Sequence, residues 1–226
     1  TRDWSSDVCS SDLFDHYRIV QISDLHDATF GDNQERLVKK VRATNPDAIF
    51  LTGDLIDSRR YDLQNSLDAV EQFVTFTDVY YVLGNHEVAV NRIDEIYEAL
   101  ERLGVQILPN QSLEIERDGE RLTIIGIEDP LMGKEPQDML DEAMATVDDN
   151  SFKILLSHRP EIFETYVENA VDVVFTGHAH GGQIRLPFSD GLFAPGQGWF
   201  PGQTSGVHEA DETRMVVSRG LGNSVL

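Results

Sequence analysis

Five short segments combine Asp, Asn and His with small residues: Ser23-Asp24-Leu25-His26, Gly53-Asp54, Gly84-Asn85-His86-Glu87, Ser157-His158-Arg159-Pro160 and Gly177-His178-Ala179-His180. Their carboxylate, amide and imidazole groups suit divalent cations, and the absence of thiolate favours Mn, Fe, Zn, Co or Ni over a thiolate zinc site. Six or seven such donors exceed what one ion takes from protein groups. One carboxylate has two oxygens, so a shared Asp can hold two ions about 3.5–4 Å apart, the separation used in two-metal phosphoryl chemistry. Taken singly, each motif is ordinary. Asp caps helices, Gly-Asp belongs to turns, and a lone His more often serves packing than ligation. His-x-His is the stronger signal, because neighbouring imidazoles suit a shared cation. The chemistry therefore depends on whether the chain brings all five segments to one place.

The intervening sequence predicts that it does. Each segment follows a short apolar run with the length and composition of a buried strand, at 18–22, 48–51, 79–83, 154–156 and 171–175. Leu37, Val38 and Val41, then Leu63, Leu67, Val70 and Val74, then Ile93, Ile96, Tyr97, Leu100 and Leu103 repeat at helical spacing, with Gly104 placed to end the last helix. Strand ends about thirty residues apart fit βαβ units and parallel pairing. In such sheets the carboxyl edge is where loops converge on ligands. Five of the seven histidines, all but His16 and His208, fall in these post-strand loops. Asp54, on the middle of the first three strands, is the candidate shared carboxylate. Residues 113–117 and 121–127, joined by Asp118-Gly119, predict a hairpin. A helix is expected around 139–147, and Pro160 can open another. Without a repeat or linker before residue 186, residues 14–226 read as one domain.

Composition narrows the function classes. Forty acidic against eighteen basic side chains give a net charge of −22, which argues against a broad cationic surface for nucleic acid or anionic lipid. It leaves room for an enzyme that brings metal cations to a phosphate. A 40% hydrophobic share supports a core. No apolar run is long enough to span a bilayer. One cysteine excludes an internal disulfide framework.

The five motifs, in this order, resemble the calcineurin-like metallophosphoesterases over about residues 17–226. Residues 177–187, Gly-His-Ala-His-Gly-Gly-Gln-Ile-Arg-Leu-Pro, are similar to the bacterial membrane-associated YkuE/YaeI-type branch. The resemblance implies an α/β fold, a four-layer α/β/β/α sandwich. It implies two divalent ions, manganese slightly favoured, one held by Asp24, His26, Asp54 and His180 and the other by Asp54, Asn85, His158 and His178. His86 corresponds to the non-ligating histidine that, when protonated, assists the leaving oxygen, and Glu87 stands where an Asp is often found, behind the ligands. The implied activity is hydrolysis of a phosphodiester or pyrophosphate by a hydroxide bridging the ions. The substrate would be a small-molecule or lipid-linked phosphoester, of the UDP-diacylglucosamine kind, with peripheral membrane contact and a membrane-associated or envelope location. A nuclease of the same family and a catalytically silent metal-binding scaffold are the alternatives. Sparse Lys and Arg count against the first, and retention of His86 beside the whole ligand set counts against the second.

Three segments stand apart. Residues 3–13, DWSSDVCSSDL, resemble a translated sequencing adapter and contain the one cysteine, Cys9. Residues 186–203 scatter Phe188, Leu192, Phe193, Trp199 and Phe200 among Gly and Pro, and are expected to pack over the sheet edge or to wall a pocket for an apolar substrate group. Residues 215–218 predict a strand, and Arg219-Gly-Leu-Gly-Asn resembles the branch's penultimate motif, so the closing segment is expected to be missing.

Overall fold

Neighbouring residues on the buried strands enter different cores, as the two-residue strand period requires. In the computed structural model, which describes residues 17–117, 120–180, 193–194, 198–199 and 203–222, Ile49 and Leu51 pack among helices, while Ala48 and Phe50 between them face a second sheet. The same alternation separates Val79 and Tyr81 from Tyr80 and Val82, and Ile125 and Ile127 from Leu122 and Ile124. Three cores between four layers are the result.

The first sheet is built from β1 (Ile19–Ile22), β2 (Ala48–Thr52), β3 (Asp78–Val82) and the short β4 (Gln106–Ile107), in that order and all parallel. Its outer face is covered by α1 (Glu35–Ala43), α2 (Leu63–Phe73) and α4 (Ile93–Leu103), while α3 (Asn85–Val90) comes soon after β3. The second sheet contains β5 (Gln111–Arg117), β6 (Glu120–Gly126), β7 (Phe152–Leu156), β8 (Val173–Thr176), β11 (Gly206–Ala210) and β12 (Thr213–Val217), in the order β11-β12-β8-β7-β6-β5. Its outer face carries α5 (Pro136–Met144) and α6 (Phe163–Glu168). A small pair, β9 (Phe193–Ala194) with β10 (Gly198–Trp199), completes the described strands. This is the expected α/β/β/α sandwich.

Several local expectations shift in informative ways. The α2 stripe rotates: Ser66, Ala69 and Phe73 join Leu63 and Val70 inside, while Leu67 and Val74 are only partly buried. Small Ser66 and Ala69 let the helix approach closely, a contact hydrophobicity alone does not flag. Helix α5 begins at Pro136, where the missing N–H costs nothing, and ends at Met144 rather than 147. Pro160 opens a single 3-10 turn before α6. The hairpin forms with Arg117 opposite Glu120, and its Asp118-Gly119 tip lies outside the described residues. Residues 3–13 and most of 186–203 lie outside them too.

Register decides where the loops go. Ile22 pairs with Leu51 and Thr52 with Val82, so residues 23–26, 53–54 and 84–87 leave one edge together. Leu156 pairs with both Gly126 and Phe175, and Thr176 with Val217, so four strands of the second sheet end at a common edge as well. Gln21 joins the two edges by donating to Thr52 Oγ1 and the Thr176 carbonyl, both at 2.9 Å.

Candidate metal centre

The two edges meet in a buried cluster of polar groups. Asp24, His26, Asp54 and His180 each offer one ligand atom, and these atoms lie within 4.8 Å of one another; Asp54, His158 and His178 form a second such group. Asp54 is common to both. Asn85 adjoins the second, with its Oδ1 3.1 Å from His158 Nε2. All seven residues named from the sequence are thus gathered at one place.

Backbone conformation delivers several of them. Asp24, His26, Asp54, His178 and His180 all have positive φ, between 49° and 65°. Non-glycine residues seldom adopt this region, and such strain is maintained only where the surroundings overdetermine it. Two glycines make the approach possible. Gly53 has φ +87°, and a Cβ there would sit 2.6 Å from His158 Nδ1. A Cβ on Gly177 would fall on Ser23 Oγ and Asp24 Oδ2. From a distant part of the chain, Leu221 N–H donates to the Ser23 carbonyl at 3.1 Å and Gly222 N–H to the Asp24 carbonyl at 2.7 Å. The motif at 219–222 is therefore part of the cradle for Asp24.

The carboxylates are buried, with Asp24 0% and Asp54 1% exposed. Asp24 accepts from Ser23 Oγ at 2.6 Å and from His178 N–H at 3.1 Å. Asp54 Oδ1 accepts the His86 N–H at 2.9 Å, and Oδ2 lies 3.3 Å from His158 Nε2 and 3.7 Å from His26 Nε2. His158 Nδ1 donates to the Thr52 carbonyl at 2.8 Å, which turns Nε2 toward Asp54 and Asn85. The Nε2 atoms of His26 and His180 face each other at 3.1 Å.

Electrostatics separates the imidazoles. Burial alone would lower His158, but the charges of Asp54 and Asp24 push it up to about 10, which marks its Nε2 as a position that favours positive charge. Burial lowers His26 to about 4, and burial with the charges of His158 and Arg159 holds His178 well below the usual histidine range. Burial raises Asp24; for Asp54, His158, His86 and His26 outweigh burial and hold it far below the ordinary carboxylate range. Two buried carboxylates with imidazole and amide donors, without thiolate, form a donor set that fits divalent cations.

Behind the cluster, Glu87 is 1% exposed and accepts four backbone N–H groups: Asp54 at 2.9 Å, Leu55 at 2.7 Å, Ile56 at 3.3 Å and Gly84 at 2.8 Å. It thereby fastens the post-β2 loop to the post-β3 loop. Burial and the charge of Asp54 raise it to about 7 against the pull of those donors. His86 stands beside His26, ring centroids 4.4 Å apart, and its side chain is 18% exposed. Its Nδ1 receives the Ser58 N–H at 3.1 Å, and Asp57 Oδ1 lies 3.9 Å away. A backbone N–H can only donate, so the ring's own proton sits on Nε2.

Asp57, Ser58, Thr52 and Asp129 were absent from the sequence-based set. The Gly53-Asp54-Leu55-Ile56-Asp57 spacing was the available signal for Asp57. Asp129 lies just past β6, which pairs parallel with β7 and so aims at the same edge. As half of a hairpin alone, β6 does not single out the residues at its carboxyl end.

Residues 17–182 match the calcineurin-like phosphoesterase family. The chain belongs to it. It is 33% identical over 227 residues to an uncharacterized metallophosphoesterase of Campylobacter jejuni, covering 96% of this chain and 57% of that protein, so it spans little more than half that relative's length. The uncharacterized metallophosphoesterase YkuE of Bacillus subtilis is 28% identical over 218 residues, covering 92% of this chain and 73% of YkuE. A Danio rerio protein described as a transmembrane protein with metallophosphoesterase domain is 28% identical over 178 residues, 74% of this chain and 41% of its own. The family is one of metal-dependent phosphoric ester hydrolases, and this chain carries an Asp/His cluster that could hold metal. Among the described residues, no helix is long and apolar enough to cross a membrane.

Proposed function

We propose that this domain hydrolyses a phosphodiester or pyrophosphate with two divalent ions, Mn slightly favoured among Mn, Fe, Zn, Co and Ni. One observation carries the reading: Asp54 belongs to both ligand groups, each within 4.8 Å. Asp24, His26, Asp54 and His180 would hold one ion, and Asp54, Asn85, His158 and His178 the other. Bound there, the ions supply Lewis acidity for phosphate oxygens and a water-derived nucleophile at neutral pH. Thr52 and Glu87 fix the directions of His158 and the Asp54 loop. His86, oriented by the Ser58 N–H, presents Nε2–H to the leaving oxygen.

The substrate side of the proposal is a small-molecule or lipid-linked phosphoester at a membrane surface. Its support is an exposed apolar turn, Pro130–Met132, capped by Asp129 at the cluster's edge, where Leu131 is 60% and Met132 41% exposed. The Danio rerio relative's description is consistent with a membrane setting. A net charge of −22 speaks against nucleic acid as substrate. The test is Mn-dependent hydrolysis of bis-p-nitrophenyl phosphate, compared with p-nitrophenyl phosphate, single-stranded DNA and an acylated phosphodiester. Diester turnover that chelator removes is expected; activity undiminished in metal-stripped protein would overturn the reading.

A further inference from the structure

Among the described residues, a permanent cation touches the cluster, and none of the roles above uses it. Arg159 comes directly after His158, and its side chain is 13% exposed. Nε donates to Asp129 Oδ2 at 2.6 Å and Nη2 to Asp129 Oδ1 at 3.0 Å, a two-point grip on the planar guanidinium. Asp129 is 0% exposed and also caps the Pro130–Met132 turn through the Leu131 N–H at 2.9 Å. The fork is thus fixed from behind by a buried carboxylate. Its other nitrogen, Nη1, lies 2.9 Å from His178 Nε2 and 3.3 Å from Glu161 Oε1.

Exposure shows which side a substrate meets. The side chains of Asp24, Asp54, His26 and His158 are at most 2% exposed and form the floor. His180 at 11%, Arg159 at 13% and His86 at 18% are the more exposed side chains around it. The Nη1–H now directed at a neutral imidazole has a better acceptor in an anionic phosphate oxygen, because the guanidinium then meets a full opposite charge. Asp129 keeps the guanidinium oriented during that exchange, so little side-chain entropy remains to be lost on binding.

We propose that Arg159, oriented by Asp129, binds a non-bridging oxygen of the phosphoester, giving up its bond to His178 for one to the substrate. This rests on the phosphoesterase reading and adds to it a binding residue, Arg159, and a positioning residue, Asp129.

The test uses the Mn-loaded protein and the variants Arg159→Met, Arg159→Lys, Asp129→Asn and Asp129→Glu. Three quantities are measured: the calorimetric Kd for inorganic phosphate, KM and kcat on bis-p-nitrophenyl phosphate, and Mn bound per chain. Arg159→Met should weaken phosphate binding and raise KM at least about tenfold with Mn unchanged, the loss expected for a hydrogen bond to a charged group. Arg159→Lys should recover part of that, and should keep the comparison readable if the Met variant fails to fold. Asp129→Asn should fall between, with Asp129→Glu closer to wild type. Phosphate affinity of Arg159→Met within about twofold of wild type overturns the proposal on that same scale. So does Mn loss in step with phosphate loss, which would make Arg159 only a support for His178. A wild-type protein that binds phosphate through Arg159 yet hydrolyses no phosphoester would instead overturn the hydrolase reading and leave the binding role standing.

Discussion

The two halves of the site are held by different physics. In the group containing Asp24, His26, Asp54 and His180, every residue has a left-handed backbone, so conformation aims the side chains. In the other half, Asn85 opens helix α3 and His158 lies just past β7, both without positive φ, and only His178 beyond the shared Asp54 is left-handed. Hydrogen bonds do the aiming there: His158 Nδ1 donates to the Thr52 carbonyl, and the Gly84 N–H just before Asn85 donates to Glu87. A strained half depends on the packing that enforces the strain. A bonded half depends on individual partners, which can be removed one at a time.

The shared carboxylate is where the contrast disappears. Asp54→Ala should lose both ions together and lower turnover by on the order of 10³-fold, since the ions contribute several kcal/mol to the transition state; metal analysis alongside kinetics checks it. His86→Ala removes no ligand and keeps the backbone N–H to Asp54, so it should lower kcat by about 10²–10⁴-fold while bound metal stays constant. Retention of a single ion by Asp54→Ala, or metal loss in the His86 variant, would break these assignments. Thermal melts and metal titration of Glu87→Gln sharpen the comparison. One carboxyl group accepting four N–H groups becomes an amide with a single acceptor oxygen, at a cost of about 1–3 kcal/mol in stability. Gly220→Ala tests the strained half from outside. Its φ is +72° and a Cβ would lie 2.9 Å from Asp24 Cβ and 3.1 Å from His180 Nδ1. The expected result is about 1 kcal/mol lost in stability, with weaker metal binding in that half first. The smallest effect is expected from Leu131→Ser with Met132→Ser: soluble diesters turned over as before, acylated ones about fivefold more slowly if contact worth about one methylene is lost. Equal loss on both substrates would remove the apolar turn from substrate binding.

The parallel strands, their helices and the post-strand residues were legible because apolar runs of strand length alternate with helical stripes, and parallel strands send their loops to one edge; the four layers were implied only by the family resemblance. Asp24, His26, Asp54, Asn85, His158, His178 and His180 could all be named that way. The supports were less visible. Thr52 acts through its backbone carbonyl and Ser58 through its N–H, for which side-chain type is no guide. Asp129 was hidden because β6 belongs both to an antiparallel hairpin with β5 and to a parallel ladder with β7. Helix α3, soon after β3, was hidden because Gly84-Asn85 reads as a turn and the helix is too short for a stripe. Its consequence is functional: the Glu87 carboxylate, accepting the Gly84 N–H, secures a helix start that holds Asn85 and His86 in the first turn, a firmer mount than a loop.

The contacts of Leu221 and Gly222 with Ser23 and Asp24 join positions nearly two hundred residues apart. Synthesis runs from one to the other, so the first metal-facing loop emerges from the ribosome long before the strand and turn that fix its shape. During translation the growing polypeptide can assemble its first sheet, but Asp24 lacks its final cradle until residue 222 is available. The proposed metal centre would thus be finished late in synthesis, once the second sheet has left the ribosome.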